Sequence, residues 1–295
     1  MRVTNKMIMD NMASNIFKNA ERLNKIMEVA SSNKQINRPS DDPIGMMKIL
    51  DYRTTLSKIN QYNRNITRAA SWLTLTESSL AEAENPLIKA KEIALSQSSG
   101  TAGAETRMIV AEEVEEIFDQ VLSLANSKQG DSYIFGGFRT DIAPFTKDAA
   151  YNVTYNGDNG DIASTIGEGV SLTINATGDE VFTGGVNVFN VLRDLRDALL
   201  YNDPDGIAAQ INLLDDAMEQ ILNHRTKVGA KTNRLEITTN HLVNLELNIT
   251  DLLSKIEDAD MAEVIIDLTS QQTAYQAALQ TTAMVSQLSL LNFMG

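Results

Sequence analysis

The chain has 295 residues, of which 43% are apolar, 5% are aromatic and none is cysteine, and its formal net charge is −14. Nucleic acids and anionic membrane surfaces attract proteins through positive charge, so this acidic balance argues against both as partners. The lack of cysteine excludes disulfides and thiolate metal sites. Few aromatic residues among many Ala, Leu, Ile, Asn, Gln and Thr residues favour slender helical packing over one large globular core.

The first predicted element is a helix over residues 7–30 with one narrow apolar stripe. The stripe consists of Met9, Met12, Ile16, Leu23 and Ile26. The opening residues, MRVTNKMIMDNMASN, lack the continuous apolar run of a secretory signal, and no later window is apolar enough to span a bilayer. If the protein leaves the cell, we expect it to do so by another route.

An elbow of sequence INRPSDDPIGMM, residues 36–47, interrupts the helical pattern. Asp42 is placed to cap a second helix, and Pro43 is placed as its first residue, where the missing N–H costs nothing. Asp41 adds negative charge near the positive end of that helix. Pro39 disfavours helical geometry in the residue before it, so the two helices cannot merge.

The second helix is predicted to carry a coiled-coil-like seam, because apolar residues recur every seven positions. The seam residues are Ile59, Ile66, Leu73, Leu80, Leu87 and Ala94. An ordinary bundle helix would show a similar stripe, but a seam this long and narrow on so acidic a chain favours extended helix pairing. Pro86 is expected to kink this helix or to break it near Glu84.

A third helix is predicted over residues 105–128, and the pattern then changes. From residue 132 to about residue 188, glycine becomes frequent and β-forming residues alternate, as in YNVTYNGDNGD and VSLTINATGDEVF. Asn-Gly and Asp-Asn-Gly sequences predict hairpin turns between these segments. We therefore expect a small β-rich insertion within a helical protein.

Helix resumes at VFNVLRDLRDALL and again at Pro204, which is placed to start a long helix over residues 207–256. The second half of that helix continues the apolar seam. Its members are Leu242, Leu245, Ile249, Leu252 and Ile256.

The last segment, residues 269–295, contains no charged residue in 27 positions. Its Ser, Gln and Thr content is too high for a transmembrane helix, and an ordinary exposed helix does not avoid charge for so long. Burial against other protein is the simplest explanation. The N-terminal stripe is too narrow to cover this segment, so we expect both ends of the chain to order fully only in an assembly. The alternative is a tail packed inside its own domain.

No pattern in the sequence predicts catalysis, a cofactor or a metal. His224 and His241 lie 17 residues apart on one predicted helix, so they cannot share a metal, and both are expected to be solvated. The DNGD stretch lacks the spacing of a calcium loop, and the scattered glycines form no phosphate-binding loop. Paired acids such as Glu112 and Glu113 are typical of solvated helix faces.

The layout of apolar terminal helices, long inner helices and a central β insertion resembles that of bacterial flagellins and their relatives. INRPSDDP is similar to the segment that follows the first helix in this family. IEDADMAEVIIDLTSQQTAYQAALQTTAMVSQLSLL is similar to the family's C-terminal helix. The resemblance covers nearly the whole chain.

Four segments resemble the branch of this family that joins the hook to the filament more than they resemble filament flagellins. They are MRVTNKMI, SYIFGGFRTDIAPF, the ending SQLSLLNFMG, and the β region from VTYNGDNGD to VSLTINATGDEVF. IEDADMAE is equally similar to both branches. A filament flagellin is therefore the first alternative, and an unrelated secreted helical scaffold is the second.

The resemblance implies a mainly α fold, in which N- and C-terminal segments form a long coiled-coil-like helical bundle with a small β-rich inserted domain. It implies five segments: an N-terminal inner-tube helix (1–36), an elbow with the N-terminal helices of a rod domain (37–131), β-hairpins and a small outer domain (132–189), the C-terminal helices of the rod (190–256), and a C-terminal inner-tube helix (257–295).

The implied function is that of a non-enzymatic structural adaptor, exported without a cleaved signal through the flagellar type III system to the extracellular hook–filament junction, where it transmits torque. The implied partners are further copies in a ring-like helical layer, the first hook-associated protein, flagellin, and an export chaperone that holds the C-terminal region. The subunit-interface candidates are Met9, Met12, Ile16, Leu23, Arg38, Asp41, Asp42, Leu268, Tyr275, Leu279, Val285, Leu288 and Leu291.

Overall fold

A computed structural model describes residues 2–99 and 103–294 of the chain, with side chains for residues 6–99 and 103–285. The fold is mainly α-helical, as predicted, and a small β-rich region is inserted between helices. The α-helices of the described residues are α1 (Arg2–Ser32), α2 (Pro43–Gln97), α3 (Ala104–Ala125), α4 (Val188–Leu200), α5 (Pro204–Glu257) and α6 (Met261–Met294).

The insertion contains three separate antiparallel hairpins. Their strands are β1 (Lys128–Gln129) with β2 (Ser132–Tyr133), β3 (Phe145–Lys147) with β4 (Val153–Tyr155), and β5 (Ala163–Gly167) with β6 (Val170–Thr173). A π-helical turn, Asp179–Thr183, follows the last strand. The first strand begins directly after α3, before the start of the β-rich segment that the sequence suggested.

The hairpin turns do not lie at the Asn-Gly sequences, so that prediction was wrong in detail. Residues 156–162 form an irregular connection between β4 and β5, and Gly169, with φ +68°, lies in the turn between β5 and β6. The Asp158 side chain explains the difference, because it accepts hydrogen bonds from the backbone N–H groups of Phe138 (2.7 Å) and Gly160 (2.9 Å). These bonds fix the segment as a loop folded against Phe138.

Helix α2 continues through Pro86, so of the two predicted effects the break near Glu84 does not occur, and the kink stays a prediction. Proline removes one backbone donor, whose loss weakens a helix. Here Ala83 and the seam residue Leu87, which lie on either side of the proline, are fully buried. Their packing stabilises the helix enough to offset the missing hydrogen bond.

The chain divides into two compact units. Unit 1 comprises Met1–Lys58 and Asn244–Gly295, and unit 2 comprises Ile59–Val243. Helices α2 and α5 contribute residues to both.

In unit 2, the predicted seam lies in the core. Ile59, Ile66, Leu73, Leu80, Leu87, Ala94 and Leu242 are all buried. Charged pairs join α2 and α5 beside this core: Arg225 binds Glu77 (2.9 Å) and Glu84 (2.5 Å), and Lys91 binds Asp215 (2.5 Å). These pairs fix the lengthwise register of the two helices.

In unit 1, the seam of α5 shifts by one residue near its end. Leu245, Ile249 and Ile256 are half-buried, but Leu252 is 42% exposed and the adjacent Leu253 is half-buried instead. A seven-residue repeat drifts around a straight α-helix with 3.6 residues per turn, so a strict count selects the wrong neighbour after several turns.

Five phenylalanines form an aromatic cluster that makes the insertion continuous with the helical core of unit 2. They are Phe118 of α3, Phe135 of the loop after β2, Phe145 of β3, Phe182 of the π-helical turn and Phe189 of α4, each at most 1% exposed. Neighbouring ring centroids lie 5.0–5.9 Å apart at tilted or edge-to-face angles, which are favourable arrangements for aromatic pairs.

The end of the insertion is tied to α5 by polar side chains of that helix. The Oε1 atom of Gln220 accepts hydrogen bonds from the N–H groups of Gly185 (3.0 Å) and Val186 (2.9 Å), and its Nε2 donates to the carbonyl of Val181 (2.8 Å). One turn further, His224 is only 9% exposed, so the prediction that it is solvated was wrong. His241 is exposed, as expected.

Unit 2 is expected to lose stability on mild acidification because of His224. Burial lowers the pKa of His224, the charge of Lys227 lowers it further, and Glu180 opposes the shift. A histidine with a lowered folded-state pKa binds protons more weakly than the unfolded chain does, so stability present above pH 6.5 is lost as the pH falls below that value. Thermal unfolding between pH 7.5 and 5.5, followed through the fluorescence of Trp72, the single tryptophan, will measure this loss.

His224→Gln is the matched variant, since it keeps polarity without titrating. We expect it to flatten the pH dependence between pH 6.5 and 5.5. An unchanged slope in this variant would contradict the assignment to His224.

Candidate assembly surface of the terminal helices

Helices α1 and α6 pack against each other as an antiparallel pair within unit 1. The Nε2 of Gln271 donates to the carbonyl of Asn19 (3.2 Å), and the N–H of Ala259 donates to the carbonyl of Asn33 (3.1 Å). Residue numbers rise along one helix as they fall along the other, so these contacts set the register. Leu23 then lies level with Leu268.

The facing sides of the two helices follow a coiled-coil rhythm of alternating three- and four-residue steps. On α6 the half-buried positions are Met261, Val264, Leu268, Gln271, Tyr275, Ala278, Thr282 and Val285. On α1 they include Met9, Met12, Ile16, Asn19, Leu23 and Ile26. None of these side chains is fully buried, so the seam is narrow and incomplete in a single chain.

The predicted interface residues take three different positions. Met9, Met12, Ile16, Leu23, Leu268, Tyr275 and Val285 lie in the seam within the chain, and Leu279 lies outside it, 42% exposed. The side chains of Leu288 and Leu291 lie outside the described residues. Their participation in contacts between subunits stays a prediction.

The outer faces of α1 and α6 carry large apolar side chains in water. On α1 these are Met7, Ile8, Phe17 and Met27, and on α6 they are Ile265, Ile266, Leu279 and Met284, each between 42% and 75% exposed. Exposed apolar patches of this extent are typical of interaction surfaces. The uncharged composition after residue 268 removes the charges that would otherwise favour a solvated helix.

A buried carboxylate joins the two ends of the chain, and the sequence reasoning missed it. Glu257, 3% exposed, binds both Lys34 and Arg53, while its carbonyl accepts a hydrogen bond from the N–H of Gln35 (2.7 Å). A buried carboxylate is stable only with such partners. The sequence gives little indication that Glu257 is buried, because an acidic residue next to a seam position usually lies on the solvated face of a helix.

The elbow folds on itself through the residues predicted to form it. Asp42 caps α2 by accepting a hydrogen bond from the N–H of Ile44 (3.0 Å), and Arg38 binds Glu28 of α1 (2.9 Å). The Asp41 carboxylate binds Lys25 (3.2 Å) and accepts from the N–H of Arg38 (3.0 Å), and these bonds, Lys25 first, hold the pKa of Asp41 below its usual value.

The elbow side chains therefore have partners within their own chain. That Arg38, Asp41 and Asp42 also pair with neighbouring subunits stays a prediction. The elbow nevertheless has a defined geometry before any assembly.

The described part of the chain has no group of three or more His, Asp or Glu side chains arranged to hold a metal ion. None of the helices in the described ranges combines the length and apolar character that a bilayer crossing requires.

Comparison with known protein families matches both ends of the chain. The sequence model of the bacterial flagellin N-terminal helical region matches residues 3–140, and that of the bacterial flagellin C-terminal helical region matches residues 211–294. Together the two matches cover most of the chain, including the elbow, all of α2 and α6, and nearly all of α1 and α5.

Individual relatives come from two branches of flagellar proteins. The chain is 27% identical to Flagellar hook-associated protein 3 of Escherichia coli strain K12, over 90% of this chain and 91% of that protein. It is also 27% identical to the Flagellar filament 33 kDa core protein of Treponema phagedenis, over 89% of this chain and 87% of that protein.

Among solved structures, the chain resembles one described as a flagellar hook-associated protein from Vibrio parahaemolyticus. The TM-score is 0.69 at 24% identity, covering 74% of this chain and all of that one. At this identity the likeness concerns the fold.

Proposed function

This chain belongs to the bacterial flagellin family, whose members are non-enzymatic structural components of the flagellum, and we propose that it forms a short helical layer joining hook-associated proteins at the hook tip to the flagellin filament. The observation that carries this proposal is the set of large apolar side chains exposed on the α1/α6 pair, together with the charge-free part of α6 after residue 268. Monomeric proteins in water rarely expose so much contiguous apolar surface, so its presence supports contact with other subunits.

Assembly requires contacts between different patches of neighbouring subunits. Such heterologous contacts build open helical arrays, whereas a patch that binds its own copy closes into a dimer. In the proposed layer, residues 1–36 and 257–295 form an inner tube, residues 37–131 and 190–256 form an outer one, and residues 132–189 face outward. The elbow is the joint between the tubes.

The proposed layer couples a flexible hook to a stiff filament and passes torque between them. Its partners are further copies, the first hook-associated protein and flagellin. Before assembly, a chaperone covers the apolar C-terminal region while the chain is exported by the flagellar type III system to the cell exterior. Each burial of an apolar side chain contributes about 1.5–3 kcal/mol, which offsets the cost of ordering the terminal helices.

The alternative, a filament subunit, is favoured by the equal identity to the Treponema filament core protein. The two functions differ in where assembly stops. A filament subunit polymerises with itself without limit, whereas a junction subunit stops after a short layer and requires a hook end.

Deleting the gene will test the proposal directly. If the chain forms the junction, the mutant cells are expected to make intact hooks, lose flagellin to the medium and stop swimming, and a plasmid copy is expected to restore filaments. Electron microscopy of the cells and immunoblots of the medium measure both outcomes.

Purified protein incubated with filament seeds is the matched experiment. Long homopolymers of this chain, or mutant cells that retain filaments, would overturn the junction function in favour of the alternative.

A further inference from the structure

A cleft of about 540 Å³ opens beside the elbow in unit 1. Its floor is apolar and is built from four parts of the chain: Ile26 and Val29 of α1, Ile36 of the elbow, Ile256 of α5 and Val264 of α6. Ile36 is buried and the other four are half-buried. The cleft is therefore preformed and has room for a large apolar side chain.

The rim of this cleft is acidic. It carries Asp41, Asp42 and Asp267 against the single cation of Lys25. Lys25 is already paired with Asp41 at 3.2 Å, and Asp42 caps the N-terminus of α2. Three carboxylates against one ammonium group leave the rim with a net negative charge. A segment that complements this cleft would carry a large apolar side chain for the floor and a neighbouring positively charged side chain for the acidic rim.

Helix α1 presents that combination at Phe17 and Lys18. Phe17 is 75% exposed, the most exposed large apolar side chain among those described in unit 1, and Lys18 beside it is exposed as well. The apolar side chains on the outer face of α6 do not match, because Ile265 and Ile266 lie between Glu263 and Asp267 and no charge follows.

Phe17 cannot reach the cleft of its own chain. It lies on the same continuous helix as Val29, twelve residues and about 18 Å away along the axis. Phe17 can therefore fill this cleft only from a second copy.

We propose that Phe17 of one subunit inserts into the elbow cleft of the next, with Lys18 facing Asp42 and Asp267. This contact rests on the proposed function and specifies how its inner helices join. Because the inserted residue and the cleft are different patches, each subunit has one of each to offer. The contact is therefore heterologous and propagates from subunit to subunit.

Disulfide trapping tests the contact, since the chain contains no cysteine of its own. Phe17→Cys with Val264→Cys is introduced in place of the native gene, and flagella isolated from these cells are oxidised. We expect a ladder of dimers, trimers and higher species that collapses on reduction. Purified single variants mixed before assembly should give dimers only.

Phe17→Cys with Ile265→Cys is the matched control, because Ile265 neighbours Val264 on α6 but is 56% exposed and does not line the cleft. Its cross-linking is expected to be at least tenfold slower. Met7→Cys with Val264→Cys tests Met7, which lies beside Lys6, as a competing occupant. Equal cross-linking by either control pair would overturn the assignment of Phe17.

Charge exchange tests the rim independently of any disulfide. Lys18→Glu and Asp267→Lys are each expected to lower the number of subunits per hook end about two- to fivefold, and the double exchange to restore it. Phe17→Ala is expected to lower it about tenfold or more. Single exchanges without effect, or a double exchange that adds the two losses, would contradict the contact.

The outcomes separate this contact from the junction function. Hook ends that carry the protein without cross-links would overturn the contact and leave the function standing. A ladder formed in long homopolymers would support the contact and overturn the junction function.

Discussion

Deleting residues 276–295 is expected to leave a folded, soluble chain that no longer assembles at hook ends and no longer supports filament growth. The deletion removes the charge-free half of α6, including the exposed Leu279 and Met284 and the seam residue Val285. Losing two or three buried apolar contacts per subunit costs roughly 3–6 kcal/mol, which is more than a hundredfold in association.

The remaining chain is expected to fold because the deletion leaves most of the contacts within the chain intact. Residues 261–275 retain the seam positions from Met261 to Tyr275, and the Glu257 contacts to Lys34 and Arg53 remain. Unit 2 does not include the deleted segment. Circular dichroism is therefore expected to show a decrease in helix content about equal to that of the deleted residues. The fluorescence of Trp72 is expected to stay unchanged.

The matched control is Gln276→Ala with Gln280→Ala, which changes two exposed polar positions of the same segment. It is expected to assemble normally. The readouts are the occupancy of hook ends by electron microscopy and flagellin in the medium. A truncated chain that still builds filaments in cells would refute the view that the tail drives assembly.

The helices were predictable because their apolar residues repeat with the helical period over long distances. The members of the repeat from Ile59 to Ala94 lie on one face of α2, and all of them are buried. Counting the apolar repeat failed at Leu252, which is exposed. A seven-residue repeat and a helix of 3.6 residues per turn diverge by a small angle in each heptad, and these differences add up along α5. The predicted break at Pro86 does not occur, because a proline penalty is local and buried packing on both sides outweighs it.

The small insertion was harder to predict because side chains distant in sequence decide its turns. Asn-Gly is a good hairpin signal, but Asp158 holds that segment against Phe138 through hydrogen bonds that no local pattern reveals. The burial of His224 has the same origin. Its helix face appears solvated in the sequence, and the π-helical turn after β6 covers it.

The exposed apolar side chains of α6 were predictable in outline and not in detail. The absence of charged residues from residue 269 onward was enough, from the sequence alone, to predict an interaction surface there. The acidic rim and apolar floor of the elbow cleft combine residues of α1 and the elbow with residues of α5 and α6 more than 200 positions further along the chain, so no sequence window contains them. Glu257 was missed for the same reason, because its partners Lys34 and Arg53 follow the first helix.

Phe145→Ala is expected to lower the free energy of unfolding of unit 2 by about 3–5 kcal/mol. The ring is 1% exposed and lies 5.0 Å from that of Phe189 and 5.6 Å from that of Phe182, measured between centroids. The backbone of the same residue exchanges two hydrogen bonds of 2.9 Å with the Asn126 side chain at the end of α3. Removing the ring therefore opens a cavity at the point where the insertion meets three helical elements.

Phe138→Ala is the matched control, because it removes the same ring from a site in the same insertion that is 65% exposed. We expect a change of no more than about 1 kcal/mol there. Denaturant unfolding followed by Trp72 fluorescence reports on unit 2 alone, since no other tryptophan is present. If the two variants were equally stable, the aromatic cluster would not be a shared core, and the insertion would be a module that folds independently of the helices around it.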